Sequence, residues 1–271
     1  MKTLSVWSSL LSYARLLALQ LKTSALLALQ YRVDFALDAL VEVVWAVSAL
    51  VPLLVIFETR NTIAGWAFAE ALLVVGWFTM LQGVIEGAIN PSLLSIVEHV
   101  RNGTLDFLLI KPKDAQFLLS TSRFSPWKCA NVITAFVIFG VALRRIERTP
   151  TAVDIAFATM LFVAAVAILY SITLLSVSAS FFVVRIDNLT YLFSSLFDVA
   201  RWPSSVFRGA LRFVFTFIIP FGLMTTYPAE ALLGRLPVMR LAVALTIALA
   251  FVIGSRVVLR RSIRHYTSAS S

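Results

Sequence analysis

Apolar residues gather into long, nearly unbroken runs, and the charged residues fall between them. At about 20 residues per bilayer crossing, the runs predict six spans: residues 36–57, 64–89, 126–143, 155–177, 213–227 and 237–259. The first closes at Glu58, Arg60 and Asn61, the third at Arg144, Arg145, Glu147 and Arg148. The second ends at Asn90-Pro91, which reads as an N-cap and first-turn proline opening a new helix. The run 152–184 is too long for one crossing, so the fourth span is expected to continue out of the membrane towards Arg185. The fifth is short and carries Pro220 and Gly222.

Two stretches have helical periodicity without spanning. Leu10, Ala14, Leu17, Leu21 and Ala25 share one face within residues 1–35, which suits an amphipathic helix lying in the membrane interface. Between spans two and three, in the polar stretch 90–125, Leu93, Ile96, Val97 and Val100 mark another face, and Asn102-Gly103 stops that helix. Asp114 is placed to cap a second short helix carrying Phe117, Leu118 and Phe124. No internal repeat or interdomain linker interrupts the pattern. The expectation is one all-α polytopic membrane domain over 1–271, with spans one and two in 36–89, spans three to six in 126–259, and a short tail at 260–271.

Composition agrees. Of the 271 residues, 60% are hydrophobic and 14% charged, with a mean hydropathy of +0.91. A soluble domain is nearer half apolar and a quarter charged, so a cytosolic globular enzyme and a disordered chain are both excluded. The net charge of +9 sits between apolar runs, where membrane topology accounts for it without nucleic acid. With six spans, both termini and loops 2–3 and 4–5 share a side that holds seventeen of the 23 Lys and Arg. That side is expected to be cytoplasmic. Arg144, Arg145 and Arg148 are the exception. The single cysteine, Cys129, excludes an intrachain disulfide and reads as a small buried hydrophobe. His99 and His265 are far apart, and no metal site is expected. The N-terminal stretch has no small-residue cleavage site, so a removed signal peptide is not expected.

Little chemistry is on offer. No phosphate-binding loop, nucleophile elbow or metal-spaced histidine pattern is present, so this chain is not expected to be an enzyme. Asp34, Asp38 and Glu42 recur at i, i+4, so one face of span one is acidic and should meet water or basic partners rather than lipid. Glu42 is the deepest of them, suited to a structural ion pair or to a role in the translocation path. Glu70 and Glu86 lie in span two, Glu86 between Gly83 and Gly87, a spacing that permits close helix approach. Phe213, Phe217 and Phe221 form a stripe in span five that either packs or lines a path. Arg201, Arg208 and Arg212 suit headgroup anchoring. An ion-coupled carrier using Glu42, Glu70 or Glu86 is the rival reading, and a non-transporting scaffold a third. Against the carrier stand the absence of inverted repeats and of paired broken helices.

Two stretches carry a resemblance. One is Val100-Arg-Asn-Gly-Thr-Leu-Asp-Phe-Leu-Leu-Ile-Lys-Pro112, followed by Phe117 and Arg123-Phe124; the other runs from Arg185 through Arg201-Trp-Pro203 to Ile219-Pro-Phe-Gly222 and Tyr227-Pro-Ala-Glu-Ala-Leu-Leu-Gly234. Together they resemble the six-span permeases of ABC-2 type exporters. The resemblance implies a multi-pass subunit of a bacterial cytoplasmic membrane, with a second permease, identical or related, above two copies of a cytosolic ATPase. That ATPase would hold ATP and Mg; this chain would bind no cofactor. The loop after span two would be the coupling helix, roughly residues 90–106. Glu98, Arg101 and Asp106 would be its polar contacts and Gly103 its stop, with Asn102, Lys111 and Pro112 also among the ATPase-coupling residues. Glu86 at the end of span two and the basic loop 3–4 depart from the pattern.

Overall fold

The computed structural model describes residues 2–146, 148–181, 195–209, 211, 214–215 and 219–265. Helix α1 (Lys2–Gln30) runs beside the 90–125 segment. Three polar contacts hold it there: Lys113 Nζ donates to Ser12 Oγ at 2.6 Å, Asp114 N to Tyr13 Oη at 3.2 Å, and Phe124 N to Ser24 Oγ at 3.3 Å. Span one is two helices, α2 (Arg32–Ser48) and α3 (Val51–Thr59), separated at Ala49-Leu50 just before Pro52. It therefore begins earlier than expected, inside the stretch assigned to the interfacial helix. A short antiparallel ribbon follows, β1 (Thr62–Ile63) with β2 (Trp66–Ala67). It is a small exception to the all-α expectation, and its turn puts Ala64 at φ +50° and Gly65 at φ +87°. That paired positive φ matches the right-handed twist of the two strands.

The second span does not stop at Asn90-Pro91. Helix α4 (Phe68–Val84) widens into a π-helical turn (Ile85–Ile89) and continues as α5 (Asn90–Arg101). Proline explains the widening. Pro91 has no N–H for the Gly87 carbonyl one turn earlier, and that carbonyl instead accepts from Ser125 N at 2.8 Å. The whole rod of 34 residues is about 51 Å long at about 1.5 Å per residue, beyond the ~30 Å hydrocarbon layer. A second π-helical turn (Gly222–Thr226) also precedes a proline, Pro228 in α10 (Tyr227–Leu232).

Two short helices, α6 (Asp106–Leu109) and α7 (Ala115–Ser120), complete the segment after α5. Then come α8 (Cys129–Arg145), α9 (Ala152–Ser178) and α11 (Val238–His265). A single 3₁₀ turn (Ala179–Phe181) carries α9 onward, as the length of its apolar run predicts. Helix packing is a row in which α2 lies on α8, α8 on α4, α4 on α9, and α9 on α11, with α10 and the second π turn wedged between α9 and α4. The core is the α4–α9 seam, centred on Leu73, Phe78, Leu81, Leu161, Ile168 and Leu169. The outer helices α2 and α11 leave Leu40, Val44, Leu249 and Ile253 exposed, as helices facing lipid do. Among the described residues, five helices are long and apolar enough to cross a membrane. The described part of the expected fifth span, residues 214–215 and 219–227, is not among them: it holds the second π-helical turn and the start of α10. Residues 213 and 216–218, and the tail beyond His265, lie outside the described residues.

Candidate functional site

The first region of interest is the end of the rod. The buried face of α5 is the one the spacing predicts: Leu93, Ile96 and Val97 are inside and Val100 is partly covered. Gly103 takes φ +65°, closing the helix as a left-handed residue does. Thr104 Oγ1 bonds His99 Nδ1 at 2.8 Å, and Thr104 N donates to the His99 carbonyl at 3.0 Å, so the turn is fixed. Asp114 caps α7 by accepting from Phe117 N at 3.1 Å, while Phe124 lies beyond that helix. Ser92 ties the segment's two arms together: its Oγ donates to the Arg123 carbonyl at 2.6 Å and accepts from Arg123 N at 3.0 Å.

On this frame Arg101, Asn102 and Lys111 are exposed. Asp106 starts α6, and Pro112 follows it in the exit loop. Glu98 is not a lone surface charge; it pairs with Arg123 at 3.3 Å. Sequence reasoning missed Phe107 and Ile110, which are 68% and 77% exposed on the same tip. Their signal was an apolar run in a stretch too short to bury it.

The second region is a charged cluster between α2, α4 and α8. Lys128, at the start of the expected third span, reaches inward and its Nζ bonds both Glu42 Oε1 and Glu86 Oε2. Asn131 Nδ2 donates to the other Glu42 oxygen at 2.8 Å, and Gln82 Nε2 to the other Glu86 oxygen at 3.2 Å. Glu42 and Lys128 are 13% and 17% exposed. The acidic face of span one thus meets a basic partner at Glu42. Asp34 and Asp38 instead line a wider cavity of about 820 Å³ between α1, α2 and residues 122–127.

Gly83 and Gly87 bring the cluster together. A Cβ on Gly83 would stand 3.0 Å from Val132 Cγ2 and 3.1 Å from Asn131 Cβ; one on Gly87 would stand 3.2 Å from Lys128 Cβ. Both glycines therefore seat α8 against α4 beside Glu86. Phe221 is buried against Phe197 and Phe215, with ring centroids at 6.1 and 5.3 Å. Phe213 and Phe217 lie outside the described residues. Cys129, expected inside, is exposed at the first turn of α8.

The end of the bundle carrying the ribbon holds three further ion pairs. Glu70 accepts from Ala67 N at 3.0 Å, capping α4, and pairs with Arg235 at 2.5 Å. Arg148 donates to the Leu233 carbonyl at 2.6 Å and pairs with Asp154 at 3.0 Å, while Arg145 sits over the Phe68 ring. Glu230 pairs with Arg240 at 2.8 Å, and burial pushes its carboxyl above the usual range despite that partner. These bonds give Arg145 and Arg148 structural work that their position against the charge rule left unexplained. They also place Glu70 in a clasp, away from Glu42 and Glu86.

Comparison with protein families matches residues 43–270 to the ABC-2 family transporter proteins. No curated protein and no solved structure matches the chain. The match covers most of the sequence, including the 90–125 segment and the charged cluster from just after Glu42 onward, and the apolar helices fit a multi-pass membrane protein. The chain belongs to the ABC-2 transporter family, as a permease of ABC-type transport.

Proposed function

We propose that this chain is the permease half of an ATP-driven exporter in a bacterial cytoplasmic membrane. It pairs with a second permease, identical or related, above two copies of a cytosolic ATPase that hold ATP and Mg. Both termini and the 90–125 segment face the cytoplasm. The observation that carries the reading is the tip of the α4–α5 rod, where Phe107 and Ile110 stand exposed beside Arg101 and Lys111. Two apolar side chains on a polar projection are suited to a groove on a soluble partner. Closure of the ATPase pair on ATP would press on this tip and tilt the rod, opening a path between the two permeases.

Two variants test the docking role. Gly103→Val forces a β-branched residue into positive φ and should distort the tip. Arg101→Glu should weaken a charged contact with the ATPase. Both proteins should reach the membrane, while ATP turnover stimulated by the complex falls at least several-fold. Normal transport by both variants would remove the segment from coupling.

A second reading, the ion-coupled carrier, draws on Glu42 and Glu86 sharing one lysine within the membrane. Substrate accumulation in vesicles driven by a proton or sodium gradient, without the ATPase, would favour it over the exporter.

A further inference from the structure

A cavity of about 400 Å³ opens beside the charged cluster, bounded by Glu42, Glu86, Lys128, Asp198, Arg201 and Trp45. Nothing in the docking of an ATPase requires it. Its volume falls within the range of small-molecule sites. Among the described residues, three carboxylates face it against two cations. Lys128 divides one positive charge between Glu42 and Glu86, and Arg201 is occupied by Asp198 at 3.1 Å. The amides of Asn131 and Gln82, which complete the two carboxylates, are neutral. With all five groups ionised the wall carries one excess negative charge, in a setting where such charge is expensive until a counter-ion arrives.

The form of that counter-ion follows from the rest of the lining. A divalent metal ion wants a cage of oxygens, and no cluster of three or more His, Cys, Asp or Glu suited to a metal occurs among the described residues. Trp45 supplies a broad indole, 69% exposed, one helical turn from Glu42. An aromatic face next to a carboxylate is the recognition set for an organic cation. Glu86 is the more open of the two carboxylates on Lys128, 33% exposed against 13% for Glu42.

We propose that this cavity binds an amphipathic organic monocation, its charge at Glu86 and its apolar body on Trp45. Its role as cargo rests on the permease reading; its binding does not.

The probe is tetraphenylphosphonium, titrated into the full-length chain in lipid nanodiscs, with empty nanodiscs subtracted. Binding should saturate. Tetraphenylborate, the same shape with the opposite charge, should not bind. Glu86→Gln keeps the side-chain shape and should weaken binding about tenfold or more through the lost charge. Trp45→Leu alters only an exposed face, so it folds where a cluster variant fails, and should weaken binding several-fold. Glu58→Gln, an exposed carboxylate elsewhere, should leave affinity unchanged. Equal binding of both probes, or unaltered affinity in Glu86→Gln or Trp45→Leu, overturns the proposal. Transport with the ATPase but no cation binding sinks this site alone. Cation binding with no ATP-driven transport sinks the exporter and leaves the site.

Discussion

Phe221 is 2% exposed and held between two other rings. Truncation to Ala removes that packing and leaves a hole, so Phe221→Ala should cost about 3–5 kcal/mol of stability. The readout is a lower melting temperature and yield with an unchanged substrate profile; a shifted profile at full stability would instead make it part of the path. Lys128 behaves differently. Replacing it by Met strands two carboxylates in one site, and breaking a buried pair this way costs on the order of 3–5 kcal/mol. Adding Glu42→Gln and Glu86→Gln to Lys128→Met should recover much of the loss, because the repulsion goes with the charges. Equal melting of the single and triple variants would show that the cluster has no electrostatic role. The cap at Asp114 and the left-handed Gly103 were legible because each acts on backbone within a few residues. Lys128 was not, since its partners are 86 and 42 positions away and only the packed row brings them near.

At the scale of elements, five of the six expected spans were readable from apolar length, and the inward face of α5 from its period. The continuity of α4 into α5 was not. Asn-Pro ends most helices, and here the widened turn and the bond from Ser125 N to the freed Gly87 carbonyl let the helix pass. Gly83 belongs to the same junction. Gly83→Leu should push α8 off α4 by filling the space that Val132 and Asn131 occupy. The expected result is a melting temperature several degrees lower, together with a labelled Lys128–Glu86 region that no longer reports a single environment. Unchanged stability would mean the two helices are free to separate there.

Across the whole molecule, the ribbon end is laced by ion pairs and the opposite end by α1 and the 90–125 segment. Glu230 allows a test of the lacing. Burial holds its carboxyl above the ordinary value of 4.5. A group raised in the folded state favours folding while protonated, so its contribution is present below about pH 4.5 and fades as pH rises through the folded value. Glu230→Gln should flatten that part of the pH–melting curve. A curve identical to the unaltered chain's would assign the dependence to other groups.

The rod also has a mechanical ratio. Its arm beyond the π-helical turn is the 12 residues of α5, about 18 Å at about 1.5 Å per residue. A sideways push of about 3 Å on the tip therefore turns the junction through roughly 10°. Glu86 is built into that junction, at the fulcrum rather than on either arm. Rotation there swings its carboxylate relative to Lys128 on the neighbouring helix, with little travel of the backbone. Force applied far below is thus geared down into a small, stiff change of aim at one charged side chain.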